Sequence, residues 1–169
     1  LKIRRYLNRD RILIDGRWIN LRRSELEEVL VRKFCRDDVS FEDFTQLYND
    51  FLESENVPFD EKVYYTDAVL RTRENRMRES ARFLLWKQNK RLRYYDIDGT
   101  DFTELLETLS LDAYENIELS TQKFMNMYPE LMEKYDIRDQ YELHNLVNKI
   151  VPRGGKNCID FSRMPMIKF

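Results

Sequence analysis

Hydrophobic positions along the chain fall into short periodic blocks. Leu26, Val29, Leu30 and Phe34 recur three and four residues apart, as do Phe41, Phe44, Leu47, Tyr48, Phe51 and Leu52. Each set predicts a helix with one buried face. Ser24 with Glu27 has the spacing of a capping box for the first helix, and Ser40 with Asp43 marks the start of the second. Asn56-Val57-Pro58 breaks the second pattern. From Asp67 to about Gln88 the pattern is helical again, with Met77, Ala81, Leu84 and Leu85 inward. Arg91 to Ile97, rich in Tyr and aliphatic residues, predicts a strand. Beyond it come a helix over about Phe102 to Leu111, an extended stretch from Asn116 to Leu119, and a helix from Thr121 to Tyr135 that starts afresh at Pro129. A helix over Gln140 to Val151 follows, with Leu143, Leu146, Val147 and Ile150 inward. Cys158–Phe161 and Met166–Phe169 predict short strands. Near the start, Ile3 to Leu7 has the character of a last helical turn. Arg11 to Leu21 predicts a hairpin around Asp15-Gly16, a pair preferred in tight turns with positive φ.

The pattern repeats with a shift of 80 residues, Ser40 falling on Ser120. Val39-Ser40 with Phe44, Tyr48, Leu52 and Glu53 recurs as Leu119-Ser120 with Phe124, Tyr128, Met132 and Glu133. Upstream, Leu26-Glu27 and Val29 recur as Leu106-Glu107 and Leu109, and Phe34 falls on Tyr114. One small unit built twice favours a binding array over an enzyme, because catalysis needs several unlike groups converging in one cleft. The expected division is residues 1–23 as the closing hairpin of a preceding unit, then units at 24–99 and 100–169.

Each unit reads as three helices followed by a two-stranded ribbon. Ile117-Glu118-Leu119-Ser120 before a helix, then Tyr135-Asp136-Ile137-Arg138-Asp139-Gln140-Tyr141-Glu142-Leu143-His144-Asn145-Leu146 and a closing apolar strand, resembles the tandem winged helix-turn-helix repeats of bacterial transcription-associated proteins. The nearest are those of the RNA polymerase delta subunit and of sigma-factor-like proteins. The resemblance covers most of residues 24–169. It implies a mainly α fold with small antiparallel β-ribbons. It also implies that the third helices, 67–88 and 140–151, read double-stranded DNA in the major groove while the ribbons meet the backbone.

Charge bears on that expectation in both directions. The chain has 169 residues, 36% of them charged, yet its net charge is only −2 and its pI is near 5.6. Between Arg71 and Tyr95 nine Lys/Arg face two Glu. Arg73, Arg76, Arg78, Arg82, Lys87, Lys90 and Arg91 are therefore candidate phosphate contacts. The competing reading is neutralisation by a protein or by the ten Asp/Glu between Asp37 and Asp67. On the last helix Tyr141, His144, Asn145 and Asn148 share the face opposite the apolar one, with Lys149, Arg153 and Lys156 just beyond. Asn pairs bidentately with adenine, and His and Tyr donate to bases or phosphates. The ordinary alternative is a solvated polar face. Arg11 and Arg17 flank the tip of the first hairpin, where a sugar-phosphate backbone would lie.

Cys35 and Cys158 have no partner at metal-ligand spacing, which fits a reducing, cytoplasmic setting. No apolar run approaches the about 18 residues of a membrane span, and no signal peptide opens the chain. It lacks an initiator Met, and the expectation is a piece of a longer protein. No cofactor, metal or small-molecule substrate is expected, and no catalytic residue. RNA polymerase or another protein is the second candidate partner, docked through Tyr and Trp surfaces. Asp96-Ile97-Asp98-Gly99-Thr100 resembles the first motif of haloacid-dehalogenase-type phosphatases, but the helical pattern after it does not suit that fold. An Asp-Gly turn leading into Thr100 is the plainer reading. Arg153-Gly154-Gly155-Lys156 lacks the spacing of a phosphate-binding loop.

Overall fold

In a computed structural model, residues 10–152 and 159–169 are described, and they form a mixed α/β architecture of seven α-helices and small antiparallel sheets. The hairpin is β1 (Arg11–Ile14) and β2 (Arg17–Asn20), paired antiparallel. Asp15 and Gly16 both take positive φ (48° and 81°), as the tight turn requires. The first half continues with α1 (Arg23–Phe34), β3 (Val39–Ser40), α2 (Phe41–Ser54), α3 (Asp67–Glu79), β4 (Leu84–Lys87) and β5 (Arg91–Tyr94). The second contains α4 (Thr103–Leu109), a short 3₁₀ turn (Leu111–Ala113), β6 (Glu118–Ser120), α5 (Thr121–Met127), α6 (Pro129–Lys134), α7 (Gln140–Ile150) and β7 (Met166–Lys168). No described helix is long and apolar enough to cross a membrane.

Among the described residues each half has a helix, a short strand, further helices and a small antiparallel sheet, but the second has four α-helices to the first's three and a two-stranded sheet to its three-stranded one. In the first the sheet runs β3-β5-β4, so the last strand sits between the other two. In the second β7 pairs with β6, and its Lys168 also bridges Asp160 on the other side. The equivalence is closest at the second helices. Ser40 and Ser120 both hold extended N-cap geometry, and their hydroxyls accept from Asp43 N and Gln122 N. In the first helices Leu26 and Leu30 correspond by burial to Leu105 and Leu109. That register is one residue short of the shift at the serines, so Leu106 is only partly buried.

Two sequence expectations need correction here. Ser24 is not the N-cap of α1; Arg22 is, with no side-chain bond. Glu25 reaches back instead, accepting from Asn20 N (3.3 Å) and Asn20 Nδ2 (3.0 Å). The helix expected over 67–88 ends at Glu79, and Leu84–Lys87 is a strand. The expected strand at Cys158–Phe161 lies partly outside the described residues, as do Ile3–Leu7, Arg153 and Lys156.

Two apolar clusters form the interior. Leu26, Leu30 and Leu52 are fully buried in the first, each contributing roughly 1.5–3 kcal/mol. Leu105, Leu143, Leu146 and Val147 anchor the second. The β4–β5 ribbon lies between them: Leu84, Trp86 and Leu92 belong to the first cluster and Leu85 to the second. Cys35, at the end of α1, is sealed in the first cluster, and its carbonyl accepts from Tyr94 N.

Candidate nucleic-acid interface

The third helix of the first half, α3, starts beyond Thr66 with Asp67 in its first turn and ends with Arg76 and Arg78, charges that suit the helix dipole. Its inward stripe runs through Val69, Arg73 and Met77. Its outward face carries Ala68, Arg71, Thr72, Asn75 and Arg78, all exposed. Arg71, Asn75 and Arg78 stand at i, i+4 and i+7, so they lie in one row. Arg78 Nη2 donates to Asn75 Oδ1 (3.0 Å) and Glu79 Oε1 (3.2 Å). Arg71 makes no ion pair among the described residues. Arg71, Thr72 and Asn75 were not candidates from sequence. Arg73 stands four residues before Met77 on the inward stripe, but its charge made it a phosphate candidate. The signal lay in Val69 and Met77, eight residues apart, with Arg73 midway between them.

Arg73 therefore faces inward. It is bonded to Glu27, a carboxylate buried between Leu26 and Leu30, with Arg76 Nη1 3.8 Å from the same oxygen. Burial, with Arg76 and Arg23 nearby, lowers the Arg73 guanidinium to about 10. Arg73 is corrected as a phosphate contact, because its charge is committed to the core.

Further along the basic stretch, Lys87 is bonded to Asp38 (2.6 Å) and Asp139, with Glu142 3.8 Å away. Burial opposes its charge, but these carboxylates hold its pKa above the ordinary value. Arg91 donates to the Asp38 carbonyl (3.2 Å), and Lys90 pairs with Glu74 at 3.5 Å while remaining 68% exposed. Arg82 donates to Asp98 (2.9 Å) and to the Lys149 carbonyl (2.7 Å). Arg93, 2% exposed, makes a double bond-pair with the fully buried Glu142 (2.5 and 3.0 Å) and reaches Asp136 (3.2 Å). Burial works against this guanidinium too, but Glu142, with Asp136 and Tyr95, holds its pKa above the ordinary value. Lys87 and Arg91 are thus corrected from free phosphate contacts to internal ones. The acids that neutralise this stretch come from both halves: Glu27, Asp38, Glu74, Glu79 and Asp98 from the first, and Asp136, Asp139 and Glu142 from the second. Of the 37–67 segment only Asp38 takes part. Arg76, Arg78, Arg82 and Lys90 keep exposed heads.

The face of α7 expected to read bases is closed. His144 (3% exposed), Asn145 (2%) and Lys149 (9%) are buried against other elements. The cause is a set of backbone groups in the first half that need partners. β4 is the edge strand of its sheet, and α3 ends nearby with unsatisfied carbonyls. Asn145 accepts from Trp86 N (2.9 Å) and donates to the Arg78 carbonyl (2.8 Å). Lys149 Nζ donates to the carbonyls of Met77 (3.0 Å) and Leu84 (2.9 Å). Burial, aided by Arg82, lowers Lys149 to about 7. His144 Nε2 lies 3.1 Å from the Met166 carbonyl, its ring edge-on to Phe161, and burial lowers its pKa. Asn145 and Lys149 are therefore junction residues, His144 is sealed within the second half, and Tyr141 and Asn148 are half-buried beside them. Arg11 and Arg17 are exposed on the hairpin, as expected.

The Asp96–Thr100 segment is a turn joining the halves. Asp96 Oδ1 accepts from Gly99 N (2.9 Å), Thr100 Oγ1 donates to the Asp96 carbonyl (2.7 Å), and Asp98 holds Arg82. A Cβ at Gly99 would stand 2.2 Å from Asp96 Oδ2, so a side chain there would push the Asp96 carboxylate aside. Comparison with known proteins gives no match: no family model, curated protein or solved structure is significantly similar to this chain.

Proposed function

We propose that the chain is a tandem winged-helix protein that binds double-stranded DNA through one reading helix, α3. The observation that carries this is the exposed row Arg71, Asn75 and Arg78 with Thr72 beside it, on a helix followed directly by a short ribbon. Arg pairs bidentately with guanine and Asn with adenine, and Thr contacts either bases or phosphates. The β3-β5-β4 order of the first sheet supports this reading, and the ribbon tip at Gln88–Lys90 is exposed beside α3, with Lys90 on Glu74. The second half serves as a brace: its last helix is occupied in holding the first. Arg11, Arg17, Arg76, Arg82 and Lys90 supply phosphate contacts around the row.

The test is duplex titration at two salt concentrations. Replacing Arg71 and Arg78 together by Glu weakens binding and lowers the salt slope by about two. These residues are preferable to Arg82, whose guanidinium also holds the Lys149 carbonyl. Unchanged affinity in the double variant would remove α3 as the reader. A second reading, docking on the transcription machinery, is favoured by Phe59, which is 71% exposed on the loop between α2 and α3. In that case Phe59→Asp abolishes nuclease-resistant capture of a protein while the α3 variants leave it intact.

A further inference from the structure

The two ribbons of this chain are built alike and covered differently. In β4–β5, Trp86 and Leu92 are cross-strand partners; they face the helices that precede the ribbon and are 3% and 0% exposed. The opposite face of that ribbon, through Leu85, packs on the helices that follow it. β4–β5 is thus a layer shared by two cores, one on either side in chain order. In β1–β2, Leu13 and Trp18 are likewise cross-strand partners. The face opposite them, Ile12, Ile14 and Ile19, packs into the core that follows, as Leu85 does. The Leu13–Trp18 face is 45% and 42% exposed.

We infer that the Leu13–Trp18 face of β1–β2 seats a further three-helix unit of the same kind, contributed by the chain N-terminal to β1. The occupant follows from continuity with the interface already present. A tryptophan–leucine pair at the same place in the second ribbon is closed by the helices immediately ahead of it. A bare hairpin with one apolar face also gains little stability on its own. An adjacent Trp and Leu on open sheet surface is the kind of apolar patch that marks a covered interface. The inference does not rest on DNA binding: it concerns β1–β2 and not the proposed reading helix α3.

Tryptophan quenching in the full-length protein tests it. The only tryptophans in this sequence are Trp18 and Trp86, and Trp86 is buried. The emission lost on Trp18→Phe therefore reports Trp18. Its acrylamide quenching is expected to be as low as that of Trp86, independent of protein concentration, and to rise several-fold in Leu13→Lys. Trp18 emission that is freely quenched in the full-length protein overturns the inference. So does shielding that disappears on dilution, which would assign the face to a second copy of the chain.

Discussion

α3 and α7, each the last helix of its half, meet opposite fates. α3 keeps one polar face open and uses a single cation, Arg73, inward. α7 has both faces taken: leucines and valine on one side, and Glu142, Asn145 and Lys149 clasped to the first half on the other. The difference lies in what each helix meets. β4 leaves edge groups at Leu84 and Trp86, and α3 leaves last-turn carbonyls at Met77 and Arg78. The polar residues of α7 complete them. A polar row on such a helix is therefore ambiguous until the neighbouring backbone is accounted for.

The sharpest way to break this comparison is Glu142→Ala. It leaves the buried Arg93 with Asp136 as its one remaining carboxylate and is expected to cost about 3 kcal/mol in urea unfolding. Glu27→Ala, its counterpart beneath α3, costs less, because Arg73 is 16% exposed and can turn to water. Equal losses would mean that α7 is no more sealed than α3. Next, Asn145→Leu leaves Trp86 N–H and the Arg78 carbonyl without partners, and each stranded group costs about 1–3 kcal/mol. A neutral outcome would show that water reaches the junction.

Lys149 gives the comparison a pH signature. Its folded pKa, about 7, lies below the ordinary 10.5, so the unfolded chain binds more protons between those values. Stability should rise with pH across that window, by at most about 1.4 kcal/mol per pH unit. Lys149→Met removes the slope. His144 acts in a separate range: its pKa is lowered below 6.5, so stability falls as pH drops through that value. A slope above pH 7 that survives Lys149→Met would place the titrating group elsewhere. The smallest effect compares the halves directly. Ser40→Ala and Ser120→Ala each remove an N-cap bond and should cost about 1 kcal/mol, at equivalent positions.

Local signals were read well from the sequence. The Asp15-Gly16 turn, the Ser40 cap, the restart at Pro129 and the bounds of α7 are set by residues within a turn of the feature itself. The end of α3 was missed because Ala81, Leu84 and Leu85 continue a helical spacing into what is a strand. Leu84-Leu85-Trp86 is a contiguous apolar run because it serves two cores at once, and periodicity cannot distinguish that from a buried helix face. Asn89 and Lys90, at φ 60° and 53°, close the turn that follows. The candidate site was legible in its region and its residue types. Which cations stay free was not, because Asp136 and Glu142 approach Arg93 from separations of 43 and 49 in the chain, and Asp139 and Glu142 approach Lys87 from still farther.

Cys35 makes the first cluster its own clock. Its thiol has no exposure, and burial pushes its pKa up to about 12. An alkylating reagent at neutral pH must wait for α1 to lift away from the ribbon. With Cys158 replaced by Ser, the labelling rate would time that opening on the native protein, without denaturant.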